Sequence, residues 1–169
     1  MLTNSQLRSL PHPKQLESLA MAYLESAQSL CDALADNPQS ASFEKGAVVL
    51  YLAAHAVELF LKGSILRKAP NESLGHDLEH IHSRYKALFP AKRFGFSNML
   101  FTTEYPGMTS REIAAVKRQQ PDPSELYRYT MSKTGEPWKA AIGFEASSFS
   151  RSLATLHADF RRISAEHDA

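Results

Sequence analysis

Apolar residues recur at intervals of three and four positions along much of this chain, which is the spacing of an amphipathic α-helix. The first such stretch places six of them on one face: Leu16, Leu19, Tyr23, Ala27, Leu30 and Leu34. Pro11 and Pro13 precede this stretch, and Asn37 and Pro38 follow it. We therefore predict a first long helix over residues 16–34, with that face in the core.

Three further helices are predicted on the same grounds. A second spans about residues 42–67 and contains the most apolar stretch of the chain, "LAAHAVELFLKGSIL". A third begins near Asp77, whose carboxylate suits the positive end of a helix dipole, and ends at Pro90. Its apolar face consists of Leu78, Ile81, Tyr85 and Leu88. A last helix begins near Ser147 or Ser148, and its apolar face consists of Phe149, Leu153, Leu156, Phe160 and Ile163.

The stretch between the third and the last helix has a different character, because prolines interrupt it repeatedly. One short helix is predicted inside it, opened by the capping box Thr109-x-x-Glu112. Beyond that helix, "LYRYTMS" has the alternation of a strand, "KTGEP" suits a turn, and "WKAAIGF" follows. This pattern is compatible with a small β-hairpin.

Together these elements predict an all-α fold, a four- to five-helix bundle in which residues 1–169 form one domain. A loop-rich, irregular insertion at about residues 90–146 precedes the last helix. The length and the 43% hydrophobic content are those of an ordinary globular domain with its own core. The single cysteine, Cys31, rules out an intrachain disulfide and a thiolate metal cluster, and it suits a core position.

Charge and hydropathy indicate which partners, such as nucleic acid or membrane, the chain favours. The formal net charge is +1, so no bulk field favours nucleic acid or membrane, while a local basic patch stays compatible with it. The segment "MLTNSQLRSLPHPK" lacks the apolar run of a secretory signal. Ionisable residues near the centre of residues 52–66 make a membrane span costly, by about 2.5–3.5 kcal/mol each. We therefore expect a cytoplasmic protein without a membrane partner.

His55, Glu58 and Lys62 form a narrow polar seam on the otherwise apolar second helix, which is expected to lie centrally in the bundle. One interpretation is a solvent strip, in which Glu58 and Lys62 are an i,i+4 pair worth about 0.2–0.5 kcal/mol. The other is a seam that faces a ligand, a second subunit or the "GHDL" turn, because partly buried charges need partners.

The loop between Lys68 and Gly75 is short, so the second and third helices are expected to be antiparallel neighbours. That arrangement brings His76 back beside Lys62, with Glu58 one turn deeper. Each polar side chain of the seam then has a partner.

The ordered segments "HAVELFLK" and "GHDLEHI" resemble the HEPN family (higher eukaryote and prokaryote nucleotide-binding) of small helical bundles. Members often carry an HAxE segment followed by Lys on the second helix and a GHDL segment at the start of the next. The resemblance spans roughly residues 13–89 and extends loosely to "LYRYTM", which is similar to a related RY segment. The residues that match are His55, Glu58, Lys62, Gly75, His76, Asp77 and Leu78.

The resemblance implies a helical bundle that forms homodimers. It also implies a role in RNA or nucleotide binding, in RNA cleavage within toxin–antitoxin or phage-defence systems, or in partnership with a nucleotidyltransferase. The nuclease branch carries an Arg and a His separated by four to six residues, which form a composite site across the dimer.

Arg151 and His157 have that nuclease spacing and are the candidate catalytic pair. They are about 120° apart around an unbroken helix, so only a dimer would bring such residues together. Arg161 and Arg162 have similar spacings to His167, which is expected to fray at the end of the last helix. The alternative is a surface Arg151 with His157 at the edge of the apolar face.

Metal and cofactor chemistry find little support. The string "HDLEH" fits a zinc-peptidase pattern, but it stands at a helix start without a persuasive third ligand, and His80 and His82 are expected to face solvent. No phosphate-binding loop motif is present, so we expect neither a metal nor a cofactor.

The leading hypothesis is a HEPN-like homodimer that binds RNA or a nucleotide as an accessory module, with His55, Glu58, Lys62 and His76 as a binding or structural polar cluster. One alternative is a metal-independent endoribonuclease, in which a His transfers the proton and an Arg stabilises the phosphate. A second alternative is a purely structural interaction domain.

Overall fold

The computed structural model describes residues 4–101, 109–119, 123–129, 131, 135–136 and 144–169. The fold is all-α, as predicted, and the described residues form no strand. The helices are α1 (Ser5–Arg8), α2 (His12–Asp36), α3 (Phe43–Lys68), α4 (Leu78–Leu88), α5 (Ser110–Gln119), α6 (Pro123–Leu126) and α7 (Ala146–Asp168). Short 3₁₀ turns follow α2 at Pro38–Ser40 and α4 at Lys92–Phe94.

The core lies between the long helices α2, α3 and α7, and α4 packs against α3. Helices α2 and α3 run antiparallel, because Pro13 lies beside Gly63 while Tyr23 lies beside His55. Phe60 of α3 stacks on Phe160 of α7 with their ring centroids 3.9 Å apart. The predicted face of α7 is buried from Leu153 to Ile163.

The predicted core face of α2 is confirmed at Ala27 and Leu34 and is wrong by part of a turn at the other four positions. Leu19 is 36% exposed, and Leu16, Tyr23 and Leu30 are only partly buried. The buried face consists of Glu17, Ala20, Leu24, Ala27, Cys31 and Leu34. Two of these are alanines, which allow the backbones of neighbouring helices to approach closely. The larger side chains of the predicted face therefore lie at its edge.

Helix α3 is the central element, as its sequence indicates. Ser42 caps its first turn by accepting a hydrogen bond from the backbone N–H of Lys45. Half of the 26 residues of α3 are buried, and the others lie along one accessible side and at the ends. By length and composition alone α3 is apolar enough to cross a membrane, and 72% of its most apolar window is buried inside the bundle. A core helix surrounded by other helices has the same composition.

Helix α4 begins directly after Asp77, whose carboxylate accepts a hydrogen bond from the backbone N–H of His80 at 3.0 Å. Leu78, Ile81 and Tyr85 are buried against the core, as predicted, and Leu88 is half-buried. Because the capping residue is Asp77, the residue before it, His76, lies outside the helix.

The insertion agrees with the prediction only in part. The capping box is present, since Glu112 Oε2 accepts a hydrogen bond from the Thr109 backbone N–H at 2.7 Å. The first strand of the expected hairpin is wrong at its start, because Leu126 ends α6 and the next two residues form a turn. Pro123 suits the first position of that short helix. The returning segment "WKAAIGF" lies outside the described residues apart from Phe144.

Two buried carboxylates that the sequence did not reveal tie separate elements together. Glu17 of α2 accepts two hydrogen bonds from Arg67 of α3, at 2.6 and 2.8 Å. Asp159 of α7 accepts from the backbone N–H of Ser97 at 2.7 Å and from Arg162 at 2.8 Å. These pairs fix the α2–α3 contact and the segment after the second 3₁₀ turn.

We predict that Gly63→Ala destabilises the protein although alanine favours helices. A Cβ at Gly63 would lie 2.9 Å from the backbone oxygen of Pro13, so α2 and α3 would have to separate. Overpacking of this kind costs about 1–3 kcal/mol, against about 1 kcal/mol gained from helix propensity. Urea unfolding should therefore show a net loss of stability. The control is Gly75→Ala, where a Cβ meets no atom within 4 Å and stability should change little. Equal stability of the two variants would contradict the close contact.

Candidate functional site

The predicted contact between the polar seam and the "GHDL" turn is present in the structure. Glu58 Oε1 accepts a hydrogen bond from Lys62 Nζ at 2.7 Å and lies 2.8 Å from His76 Nδ1. His55 Nδ1 lies 4.0 Å from Glu58 Oε2. We call His55, Glu58, Lys62 and His76 the Glu58 cluster.

The members of the Glu58 cluster differ in their access to solvent. Glu58 is 5% exposed and Lys62 is largely buried, whereas 77% of the His76 side chain is exposed. Glu58 and Lys62 are one turn apart on α3, and His76 reaches them from the segment before α4. The seam is therefore not a wet strip, because its carboxylate is buried and shared by two donors.

The electrostatics of the Glu58 cluster keep its carboxylate ionised. Burial alone would raise the pKa of Glu58, but His55, Lys62 and His76 together outweigh burial and lower the pKa to about 2. Glu58 is thus an anion at every pH in the physiological range, and it can only accept hydrogen bonds.

A cleft opens beside the Glu58 cluster, between α3, the start of α4 and α6. It encloses about 400 Å³, its open side included. Its walls are formed by Tyr51, Ala54, His55, Glu58, His76, Leu78, Pro123 and Arg128. Apolar, aromatic and charged groups thus line one surface, a combination typical of sites for small polar ligands.

Aromatic rings and a cation shape one side of this cleft. The Tyr51 ring is parallel to the His55 ring, with 5.9 Å between centroids, and Tyr23 meets His55 edge-on at 4.7 Å. The guanidinium of Arg128 lies 5.7 Å from the Tyr51 centroid and 5.3 Å from that of Tyr129. Arg128 is exposed, and a guanidinium binds anions through paired N–H donors.

The structure does not bring the candidate catalytic pair together within the chain. Arg151 is exposed and donates to the Ser148 hydroxyl at 3.1 Å on its own helix. His157 faces α2, where its Nε2 lies 3.5 Å from a carboxylate oxygen of Glu25. Neither residue lines the cleft described above.

The expectation that His167 frays is wrong. Helix α7 continues to Asp168, and His167 Nε2 lies 3.1 Å from the Ser64 hydroxyl. Its ring packs between Phe89 and Phe94, at 4.8 and 5.1 Å between centroids. His167, the histidine of the Arg161 and Arg162 spacings, is therefore packed against the core and has a structural role.

The zinc-peptidase string forms no metal site in the part of the chain that the structure describes, where no group of three metal-ligating side chains converges. Its first histidine, His76, is held by Glu58 ahead of α4. His80 is exposed as expected, whereas His82 is partly buried beside Phe96, so the expectation for His82 is wrong.

Sequence reasoning missed two cleft residues. Tyr51 precedes His55 by four positions on α3, so the helical period places it in the sector of the seam, but it was not named as a candidate. Arg128 belongs to the insertion, and only its place in the "RY" segment hinted at a role. Comparison of the chain with protein-family models, with curated proteins and with solved structures finds no match.

We predict that Glu58→Gln flattens the acid limb of the stability profile. The folded-state pKa of Glu58 is below its ordinary value of 4.5, so its ionised form stabilises the fold above about pH 4.5. This contribution is lost as pH falls from there toward 2, at about 1.4 kcal/mol per pH unit for one proton. Urea unfolding at several pH values between 5 and 2.5 measures it. Exposed Asp36→Asn is the control and should keep the wild-type slope. Parallel profiles for wild type and Glu58→Gln would contradict the pKa assignment.

Proposed function

We propose that this chain is a small helical binding module that takes a nucleotide, or a segment of single-stranded RNA, in the cleft beside the Glu58 cluster. The observation that carries the proposal is the stack of Tyr51 on His55 with the guanidinium of Arg128 beside it. The module acts as an accessory component and does not itself catalyse a reaction.

The chemistry of the cleft suits a nucleotide. Aromatic faces stack on nucleobases, which contributes about 1–3 kcal/mol per base and tolerates many sequences. Arginine binds phosphate through paired N–H donors. A base on Tyr51 with its phosphate toward Arg128 would satisfy both groups.

The resemblance to HEPN proteins supports the same function. Four of its matching residues, His55, Glu58, Lys62 and His76, form the Glu58 cluster at the cleft. By that resemblance, the module would work with a nucleotidyltransferase partner or in a toxin–antitoxin or phage-defence system.

The endoribonuclease alternative receives less support. It requires Arg151 of one copy and His157 of another to meet at one phosphate, whereas both residues lie on α7 and not on the strip of α3 that we propose below as the dimer interface. The purely structural alternative leaves the cleft without a ligand, so the binding measurement below separates it from our proposal.

We further propose that the module is a homodimer, with α3 packed antiparallel on α3 of a second copy. The strip of α3 that the bundle leaves accessible carries Val48, which is 48% exposed, and the partly buried Leu52 and Leu59. Apolar side chains on an accessible helix strip favour burial against another subunit.

The order of residues along this strip is self-complementary, as a two-fold interface requires. Reversing α3 about the midpoint between Leu52 and His55 places Val48 opposite Leu59 of the second copy. The same reversal places Glu44 beside Lys62 of the second copy, so that opposite charges meet at both ends. The two clefts would then open on the same side of the dimer.

We predict that a fluorescent single-stranded RNA hexamer and AMP both bind the wild-type protein. Tyr51→Ala should weaken binding by about fivefold or more, because it removes the stacking face. Arg128→Ala should weaken binding and reduce its dependence on salt, because it removes a phosphate contact. Fluorescence anisotropy and calorimetry measure these effects.

The matched control is Arg151→Ala, an exposed arginine away from the cleft. Its affinity for the hexamer should equal that of wild type. Absence of binding in wild type would refute the proposed function, and weakening by Arg151→Ala alone would move the site to α7.

We predict a dimer in sedimentation velocity at micromolar concentration, and a shift toward monomer for Val48→Glu. The new charge would lie within the apolar strip of both copies, where it opposes Leu59. Val48 is about half exposed in the single chain, so the variant should still fold. A wild-type protein that sediments as a monomer would contradict the proposed interface.

A further inference from the structure

The two carboxylate oxygens of Glu58 are not equivalent. Oε1 is engaged by both Lys62 Nζ and His76 Nδ1, at 2.7 and 2.8 Å. For Oε2, the contact that the described residues provide is His55 Nδ1 at 4.0 Å, which is longer than a hydrogen bond. Among the described residues, therefore, Oε2 has room to accept a hydrogen bond from a ligand.

This free acceptor belongs to the cleft. Glu58 is 5% exposed and is one of the lining residues, so its accessible part faces the cleft and not bulk solvent. An ionised carboxylate oxygen on the wall of a cleft can accept a hydrogen bond from a ligand in place of water, and hydrogen bonds to charged groups are stronger than neutral ones. Because the group is an anion, it offers a ligand no donor in return.

The position of Glu58 relative to the stacking face decides which part of a ligand it meets. Tyr51, His55 and Glu58 follow at intervals of four and three residues, so they lie on one face of α3. A base that packs along the Tyr51–His55 pair would present an edge to Glu58, because His55 Nδ1 lies 4.0 Å from Glu58 Oε2. The guanidinium of Arg128 is exposed and lies 5.7 Å from the Tyr51 centroid, so the phosphate would lie toward Arg128.

We propose that Glu58 Oε2 reads the edge of the bound base by accepting a hydrogen bond from its exocyclic amino group. The site then selects amino-bearing bases over uracil. In uracil the ring N–H is flanked by two carbonyl oxygens, and an ionised carboxylate repels those oxygens. Cytosine has the same size as uracil and differs at this edge, where an amino donor replaces one carbonyl oxygen. This inference rests on the proposed function, because it requires that a nucleotide occupies the cleft.

The test compares CMP with UMP by calorimetry at pH 7, repeated with six-nucleotide RNAs of cytidine and of uridine. Wild type should bind CMP at least about fivefold more tightly than UMP, the lower end of a base-reading contact. Glu58→Gln should bring the ratio close to one, because an amide both donates and accepts. Tyr51→Ala should weaken both ligands and keep the ratio, because stacking is indifferent to the base edge.

Equal affinity for CMP and UMP in wild type, or tighter binding of UMP, would overturn base reading and leave the proposed function intact. A ratio that persists in Glu58→Gln would overturn the role of Glu58. If neither ligand nor either RNA binds wild type, the proposed function and this inference both fail. The comparison of CMP with UMP in wild type does not depend on how well Glu58→Gln folds. Unfolding melts show whether Glu58→Gln is folded, which is the condition for interpreting its ratio of CMP to UMP affinity.

Discussion

A buried ionised carboxylate in the central helix is the constraint on which the candidate site depends. Glu58 stays charged in the core only because donors from two different elements reach it. Lys62 comes from the same helix and adds nothing to the tertiary arrangement. His76 comes from the segment before α4, so the charge of Glu58 favours the position of that segment over α3.

The cleft follows from this arrangement. His76 and Leu78 form one of its walls because the Glu58 contact and the cap at Asp77 fix the start of α4. Tyr51 and His55 form another wall because they share a face of α3 with Glu58. The same residues therefore hold two helices together and present an aromatic, charged surface. A change at Glu58 would affect both stability and binding, which is why binding ratios are more informative than affinities alone.

The sequence predicted the long helices and the Glu58 cluster well, because both depend on local order. Helical periodicity places His55, Glu58 and Lys62 on one side of α3. The loop between α3 and α4 is short, so His76 has to lie near the end of α3. The core face of α2 was predicted wrongly in part. Its leucines and its small residues lie on neighbouring sides of the helix, and helical periodicity alone does not show which side is buried. Ala27 belongs to both faces, and close packing selects the small Ala20 in place of its neighbour Leu19.

Long-range polar contacts could not be predicted. Glu17 and Arg67 are 50 positions apart, and Asp159 and Ser97 are 62 apart, so no local pattern links them. Arg128 lies close to Tyr51 although α4 and much of the insertion separate the two residues in the sequence. Its segment was assigned to a strand on the basis of alternation, whereas the short helix α6 and the turn after it bring the guanidinium to the cleft.

We expect the contact between Glu58 on α3 and His76, just before α4, to stabilise the fold. A double-mutant cycle measures this directly: urea unfolding of wild type, Glu58→Gln, His76→Ala and the double variant at pH 6. We predict a coupling free energy of at least about 0.5 kcal/mol, as for residues in direct contact. Additive effects, with a coupling indistinguishable from zero, would contradict it, because His76 would then lie over Glu58 without stabilising the start of α4.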